Sequence, residues 1–126
     1  MLSKKIRINT LFSLLLVLSS ANVWAWTEKD TWWETAYMSA HIADWGQTRD
    51  IAAQCDAGPY YETNPVLGRC PSTSRVNSYF LGTALLHVGV SHILPGKVRR
   101  IFQVGTLGMQ LNFVSSNAQI GLKVNF

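Results

Sequence analysis

Charged residues are scarce in this 126-residue chain, because aspartate, glutamate, lysine and arginine together make up only 14% of it. The formal net charge is +4 at pH 7, and three of the positive charges lie within the first seven residues. Beyond them the one basic cluster is Lys97, Arg99 and Arg100. Nucleic-acid binding ordinarily recruits more cations than this. The sequence therefore predicts no nucleic-acid partner.

Motifs for nucleophilic catalysis and for metal binding are also missing. No GxSxG sequence is present, which argues against a serine nucleophile. Cys55 and Cys70 have neither a CxxC spacing nor a nearby histidine pair, as a four-ligand metal site requires. His87 and His92 are five residues apart, on different faces of a helix. We expect no metal, no cofactor and a non-enzymatic role.

The first 25 residues have the pattern of a secretory signal peptide. Lys4, Lys5 and Arg7 precede an apolar run of about 11 residues, and Ala25 supplies the small residue of a cleavage site. A run this short does not span a bilayer comfortably. We therefore predict a signal peptide at residues 1–25 and a single small membrane-associated domain at residues 26–126.

The domain begins with a predicted helix and a loop. Residues 26–54 contain no proline and one glycine, and their aromatic and polar side chains recur at helical spacing. This pattern predicts an amphipathic helix at a membrane surface. Proline and glycine interrupt residues 55–75, which predicts a loop. Because export leads to an oxidising compartment, we predict a disulfide between Cys55 and Cys70.

Residues 76–94 and 98–114 predict two further helices, separated by a turn that contains Pro95 and Gly96. Each is as long as a short transmembrane helix, so we predict a transmembrane hairpin. With the disulfide loop outside the cytoplasm, the positive-inside rule places Lys97, Arg99 and Arg100 at the cytoplasmic face. The expected location is the inner membrane with a periplasmic loop, and the outer membrane or the periplasm are alternatives. Membrane lipid and an envelope protein are the expected partners.

The C-terminal residues 118–126 alternate apolar and polar side chains, which predicts a short extended segment. Residues 107–113 alternate in the same way. A C-terminal β-hairpin, with a last strand like that of outer-membrane barrels, is therefore the alternative. A complete barrel would need more such segments than the chain contains. The predicted fold class is mainly α, with this hairpin as the alternative.

Polar side chains of the first helix and the loop form one candidate cluster, because several of them share a helical face. It is either a ligand or lipid-headgroup site, or hydrogen-bonded packing that ties the loop to the helix. The site interpretation corresponds to a periplasmic ligand-binding or hydrolase-like module. The six residues of this predicted cluster are His41, Asp44, Gln47, Thr48, Glu62 and Asn64.

Five strings of the sequence resemble a group of small exported or membrane proteins of proteobacteria and their phages. They are HIADWGQTR at 41–49, YETNPVLG at 61–68, PS at 71–72, VNSYF at 76–80 and IG at 120–121. The resemblance takes in the whole mature chain and implies a helical architecture without an activity. We therefore predict a small bacterial or phage-encoded envelope protein with an interaction or structural role, and the ligand-binding module as the alternative.

Overall fold

Three α-helices make up the computed structural model, which describes residues 26–126. Helix α1 is Glu28–Gln54, α2 is Thr73–Ile93 and α3 is Gly96–Gln119. A loop at residues 55–72 joins α1 to α2, whereas only two residues join α2 to α3. The mainly helical class is confirmed. The predicted signal peptide lies outside the described residues.

Each helix begins and ends at a residue suited to that position. The Thr27 hydroxyl accepts a hydrogen bond from the Asp30 amide, and the Asp30 carboxylate accepts one from the Thr27 amide, which completes a capping box for α1. The Ser72 hydroxyl caps α2 in the same manner. Pro95 precedes α3 and Gly121 follows it with a φ of 95°, a left-handed conformation that favours glycine.

Helix α1 is the central element, since it packs against both other helices while α2 and α3 contact each other much less. Side-chain hydrogen bonds between α1 and α3 join residues from 66 to 73 positions apart. This nearly constant separation means that the two helices run parallel. The separation to α2 falls along α1, from 57 positions at Glu34 to 28 at Arg49. Helix α2 is therefore antiparallel to α1.

The interior of the described chain is more polar than apolar. Eleven polar or charged residues are buried among residues 26–126, against seven hydrophobic ones. The apolar core is small and consists of Leu67, Val76 and Phe80, with Trp45 packed against it. Conversely, seventeen large hydrophobic side chains are exposed. Burial of apolar surface ordinarily drives folding, so apolar side chains are expected inside and polar ones outside. The distribution of polarity here is the inverse.

Two predictions about the helices need correction. The buried face of α1 is chiefly polar, so the helix does not have the apolar face that the term amphipathic implied. Within residues 26–126, no helix is both long and apolar enough to cross a membrane, and the predicted transmembrane hairpin is not supported. Helices α2 and α3 exist near the predicted bounds, but polar residues such as His87, Ser91, Gln103 and Gln110 interrupt their apolar character.

The alternative C-terminal β-hairpin is wrong, because α3 contains residues 107–113 and continues to Gln119. Contacts with α1, formed by residues seven apart such as Gln103 and Gln110, outweigh the two-residue alternation. The described chain, residues 26–126, contains no strand. Residues 122–126 leave the helix and lie along α1. Leu122 is buried there, and the Asn125 amide donates to the Gly46 carbonyl at 3.2 Å.

The predicted disulfide between Cys55 and Cys70 is confirmed, with the two Cα atoms 5.5 Å apart. It ties the end of α1 to the residues just before α2. The loop between the cysteines is thereby held against the three helices. This loop supplies one wall of the site described next.

Candidate functional site

A polar face runs along α1, formed by residues at alternating spacings of four and three. That spacing places side chains on one side of a helix, and here this side meets α2 and α3. The polar face divides into a closed end near the start of α1 and an open end near its middle. Its residues are Asp30, Glu34, Tyr37, His41, Asp44 and Thr48.

The closed end contains a buried ion-pair network around Asp30. The Asp30 carboxylate accepts hydrogen bonds from the guanidinium groups of Arg99 at 3.0 Å and Arg100 at 2.9 Å. Arg99 has no exposed surface, and it also donates to the backbone carbonyls of Ser91 and Leu94. Burying a charged group is costly unless it is paired and hydrogen-bonded, and Arg99 meets both conditions.

Glu34 extends this network one turn further. Its carboxylate accepts hydrogen bonds from Ser91 and Gln103, both at 2.9 Å, and lies 2.7 Å from Nδ1 of His87. Nε2 of His87 lies 2.8 Å from the hydroxyl of Thr106, which itself donates to a backbone carbonyl. Both ring nitrogens of His87 therefore face acceptors. This arrangement suits the imidazolium form, which donates from both nitrogens.

Burial alone would raise the carboxyl pKa values at the closed end, but hydrogen bonding outweighs it. Donors from Thr27, Arg100 and Arg99 lower the pKa of Asp30 to about 2. Donors from His87, Gln103 and Ser91 likewise hold the pKa of Glu34 below its ordinary value. Both groups are thus stabilised as carboxylates. The closed end balances its negative charge with cations of the same chain.

The open end of the polar face borders a cavity of about 770 Å³ between the three helices and the loop. Five of the six residues of the predicted cluster line it, in agreement with their predicted proximity. Aromatic rings form much of the remaining wall. The polar lining residues from the prediction are His41, Asp44, Thr48, Glu62 and Asn64, and the rings belong to Tyr37, Tyr60, Tyr61, Tyr79, Phe80 and Phe113.

The remaining predicted residues lie elsewhere. Gln47 is buried but does not line the cavity, and its Nε2 donates to the carbonyl of Val114 at 3.2 Å. Of the predicted basic turn, only Lys97 is fully at the surface, because Arg99 and Arg100 belong to the closed end. The turn therefore displays fewer free cations than its sequence indicated.

Asp44 and His41 are joined through the side-chain amide of Gln110. Gln110 donates from Nε2 to Asp44 at 2.6 Å, and its Oε1 lies 3.3 Å from Nδ1 of His41. Asn117 donates to the second oxygen of Asp44 at 3.1 Å. Nε2 of His41 lies 3.0 Å from the carbonyl of Phe80. One amide thus bridges the carboxyl group and the imidazole.

Burial raises the pKa of Asp44, and the nearby charge of Glu62 adds to the rise, while the hydrogen bond from Gln110 opposes it. Burial also raises the pKa of Tyr37 to about 12, so its hydroxyl stays protonated. Asp44 therefore differs from Asp30, although both occupy the same face of α1. The direction of the shift depends on whether cations surround the carboxyl group.

The loop wall of the cavity is fixed by its own hydrogen bonds. The Glu62 carboxylate accepts from the amides of Thr63 and Asn64, and the Asn64 side chain accepts from the amide of Val66. The Tyr60 hydroxyl donates to the carbonyl of Ile120 at 2.6 Å. Glu62 and Asn64 thus order the loop itself, whereas the packing interpretation had them tie the loop to α1.

The sequence prediction missed the closed end. Asp30 and Glu34 lie eleven and seven residues before His41. With Tyr37 and Asp44 they continue the same alternating spacing of four and three. Extending this spacing towards the start of α1 would have found both carboxylates. Their partners Arg99 and Gln103 lie at the same spacing on α3, but nothing in the sequence paired that face with α1.

The cavity supplies charge, hydrogen bonds and aromatic surface. Its carboxyl, imidazole and amide groups are linked by hydrogen bonds and can orient a bound ligand. Comparisons of the chain with protein-family models, with curated proteins and with solved structures give no match.

Proposed function

We propose that this chain is a small envelope protein with an interaction role, which associates with membrane lipid through the outward faces of α2 and α3. The observation that carries the proposal is the inverted distribution of polarity. Exposed apolar patches of this extent mark interaction surfaces. The surface, called the apolar surface below, comprises Leu81, Leu85, Leu86, Ile93, Val98, Ile101, Val104 and Leu111.

Lipid is the partner that best fits the charge pattern of these helices. Residues 76–96 and 101–122 contain no aspartate, glutamate, lysine or arginine. A protein partner would ordinarily meet a polar rim around its apolar contact. The hydrocarbon of a bilayer needs no such rim, and the helix surface that contacts it only has to lack charged residues. The ion pairs of the closed end support the same conclusion, because charged groups in a protein that contacts lipid need partners within the protein.

Aromatic and basic residues gather where α1 starts and where α2 meets α3. The Arg99 guanidinium lies 5.0 Å from the ring centre of Trp26, and that of Arg100 lies 5.7 Å from Trp33. Lys97 is exposed at the same end. Tryptophan and basic side chains favour the headgroup region of a bilayer. This end of the molecule therefore suits contact with lipid headgroups.

Flotation of the purified protein with lipid vesicles tests the proposal. Vesicles of phosphatidylcholine, with and without phosphatidylglycerol, are mixed with the wild type and with the double variant Leu85→Lys/Leu86→Lys. Each buried leucine contributes about 1.5–3 kcal/mol, so the variant should partition at least about 100-fold more weakly. The matched control is Thr35→Lys/Ser39→Lys, which adds the same charge on an exposed part of α1.

We expect the wild type and the control to float and the leucine variant to remain at the bottom of the gradient. A wild type that stays at the bottom with both kinds of vesicle contradicts the proposal. Equal flotation of all three proteins also contradicts it, because the apolar surface would then not be the contact. Circular dichroism spectra must match before the variants are compared.

A second candidate function, the binding of a small molecule, is favoured by a separate observation. The cavity of about 770 Å³ has the size of ligand sites in proteins, and polar groups converge on it from α1, α3 and the loop. This candidate corresponds to the predicted ligand-binding module. It is compatible with lipid association, since the cavity and the apolar surface share none of the residues that define them.

A further inference from the structure

We propose that the cavity binds a small organic cation, an amine or a quaternary ammonium ion. The proposal deepens the second candidate function and rests on it. Three properties of the cavity point to this ligand class: two carboxyl groups, a wall rich in aromatic rings, and the composition of its basic groups. Each is independent of the lipid contact.

The cavity has more acidic than basic lining groups, because the carboxyl groups of Asp44 and Glu62 face the single imidazole of His41. Asp44 and Glu62 both line it, and their charges interact. Among residues 26–126, no lysine or arginine lines the cavity. His41 is the one basic lining residue, and its ring nitrogens face the carbonyl of Phe80 and Oε1 of Gln110. A ligand that enters therefore meets acceptors and negative charge, which favours a cation and disfavours an anion.

The closed end shows how the same face of α1 treats carboxylates when the chain supplies the cation. There Asp30 and Glu34 meet Arg99, Arg100 and His87 at hydrogen-bonding distance. At the open end, amide groups from Gln110 and Asn117 contact Asp44 instead. Each Asp44 oxygen receives one such bond and can accept another. The amides that take the place of the two guanidinium groups bring no positive charge, so a cationic ligand would supply the counter-charge that α3 does not provide here.

The aromatic wall makes an organic cation a better fit than a metal ion. Tyr37, Tyr79, Phe80 and Phe113 come from all three helices, and the loop adds Tyr60 and Tyr61. The faces of such rings attract alkylammonium groups. A divalent metal needs several close oxygen or nitrogen ligands. Within residues 26–126, no three histidine, cysteine, aspartate or glutamate side chains are grouped so as to hold one.

Isothermal titration calorimetry tests whether the cavity prefers a cation, with three probes that have similar shapes and different charges. The probes are choline, its neutral analogue 3,3-dimethylbutan-1-ol and the anionic 3,3-dimethylbutanoate. Choline should bind at least about tenfold more tightly than the neutral analogue, given the strength of desolvated cation–π contacts. The anion should bind more weakly still. The full chain is used, in the detergent or vesicles that keep it dispersed.

Variants then locate the site. Asp44→Asn and Glu62→Gln keep the shapes of the side chains and should each weaken choline binding by about tenfold. Phe113→Leu should weaken it and Phe113→Tyr should preserve it, and this exposed position poses little risk to folding. The matched control is Asp50→Asn. Asp50 is a carboxylate of α1 that does not line the cavity and bonds to Gln54 and to the Lys123 amide.

Each outcome decides one of the two claims. If the neutral analogue binds as tightly as choline, the cavity is a ligand site but the preference for a cation is overturned. Tighter binding of the anion overturns it as well. If none of the probes binds, both the inference and the second candidate function fail. If Asp50→Asn weakens binding as much as Asp44→Asn, choline binds outside the cavity and the inference fails.

Discussion

The two ends of the polar face of α1 use the same residue types and reach opposite results. At the closed end Asp30 is surrounded by two guanidinium groups, and its pKa is lowered to about 2. At the open end Asp44 is held by two amides beside a second carboxyl group, and its pKa is raised. Both aspartates lie on one helix, fourteen residues or two heptads apart. The position of an aspartate on α1 therefore does not determine whether its pKa is raised or lowered.

The side chains that α3 places against each aspartate decide the direction of its pKa shift. Near its start α3 presents arginine to α1, and about three and five turns later it presents glutamine and asparagine. The closed end is complete without a ligand and has a structural role. The open end has two carboxyl groups and one imidazole next to a cavity, and it is the end that we propose as a binding site. Four experiments test this division between a structural end and a binding end.

The largest effect is expected from Arg99→Met. Removing one partner of a buried ion pair leaves a buried charge without compensation and costs about 3–5 kcal/mol. The matched variant is Arg100→Met, whose side chain is 32% exposed and contacts the same carboxylate. It should cost about 1 kcal/mol. Urea denaturation gives both free energies of unfolding. Equal losses would show that burial does not distinguish the two arginines.

Breaking the disulfide comes next. For a loop with a sequence separation of 15, replacing Cys55 and Cys70 by serine should lower the free energy of unfolding by about 3 kcal/mol. The loop carries Glu62 and the rings of Tyr60 and Tyr61, so the cavity should lose its outer wall as well. The closed end should be unaffected, and protection of the α1 amides around Glu34 from hydrogen exchange should persist. Loss of that protection would mean that the two ends do not behave separately.

Opposite pH dependences are expected from the two aspartates. The folded pKa of Asp30, about 2, lies below its ordinary value of 3.8, so its contribution to stability is present above pH 4 and is lost as the pH falls towards 2. The folded pKa of Asp44 lies above the ordinary value. Its contribution is present at low pH and is lost as the pH rises through the folded pKa.

Two isosteric variants separate these contributions. At pH 7, Asp30→Asn should reduce the free energy of unfolding by at least about 2 kcal/mol, because the buried Arg99 also loses its counter-charge. Asp44→Asn should leave it unchanged or raise it by less than about 1 kcal/mol. Thermal denaturation between pH 2 and pH 8 records both profiles. The profile of each variant is subtracted from that of the wild type, so that the difference isolates the substituted aspartate. A loss of stability in both variants at pH 7 would contradict the division.

The smallest effect concerns the C-terminal segment beside Gly46. A Cβ atom added at Gly46 would lie 2.5 Å from Cγ1 of Val124 and 2.9 Å from Cε2 of Phe126, so Gly46→Ala should displace residues 124–126. The gain in helix propensity, about 1 kcal/mol, should leave the net stability within about 1 kcal/mol of the wild type. Gly89→Ala, which meets open space, is the control and should stabilise without exposing the segment. Carboxypeptidase digestion detects the displacement.

Local patterns were sufficient for part of this structure. The 3–4 spacing of His41, Asp44 and Thr48, the Pro95 break and the two cysteines predicted three helices, a disulfide and five of the residues that line the cavity. These features depend on neighbours along the chain. A helical face and a loop between two cysteines can both be read without knowledge of distant contacts.

The rest depended on contacts between distant residues. In the sequence, Arg99 lies close to Lys97 and Arg100. A cluster of three cations predicts an exposed turn. Only the approach of Asp30, 69 positions away, makes its burial favourable. The alternation of residues 107–113 indicated a strand for a similar reason, since nothing nearby showed that Gln103 and Gln110 would bond to α1. Tertiary contacts overrode local preference in both places.

The parallel pairing of α1 with α3 also bears on how the chain folds. Every side-chain hydrogen bond between these helices closes a loop of at least 66 residues, so the contact order is high for an all-helical protein. Asp30, Glu34 and Asp44 are made early in synthesis, but their partners on α3 emerge only in the last third of the chain. Until then these carboxylates must stay hydrated, and α1 has no native partner beyond α2. We expect folding to begin with the antiparallel pair α1 and α2 and to be limited in rate by the arrival of α3, more slowly than in helical bundles whose contacts are local.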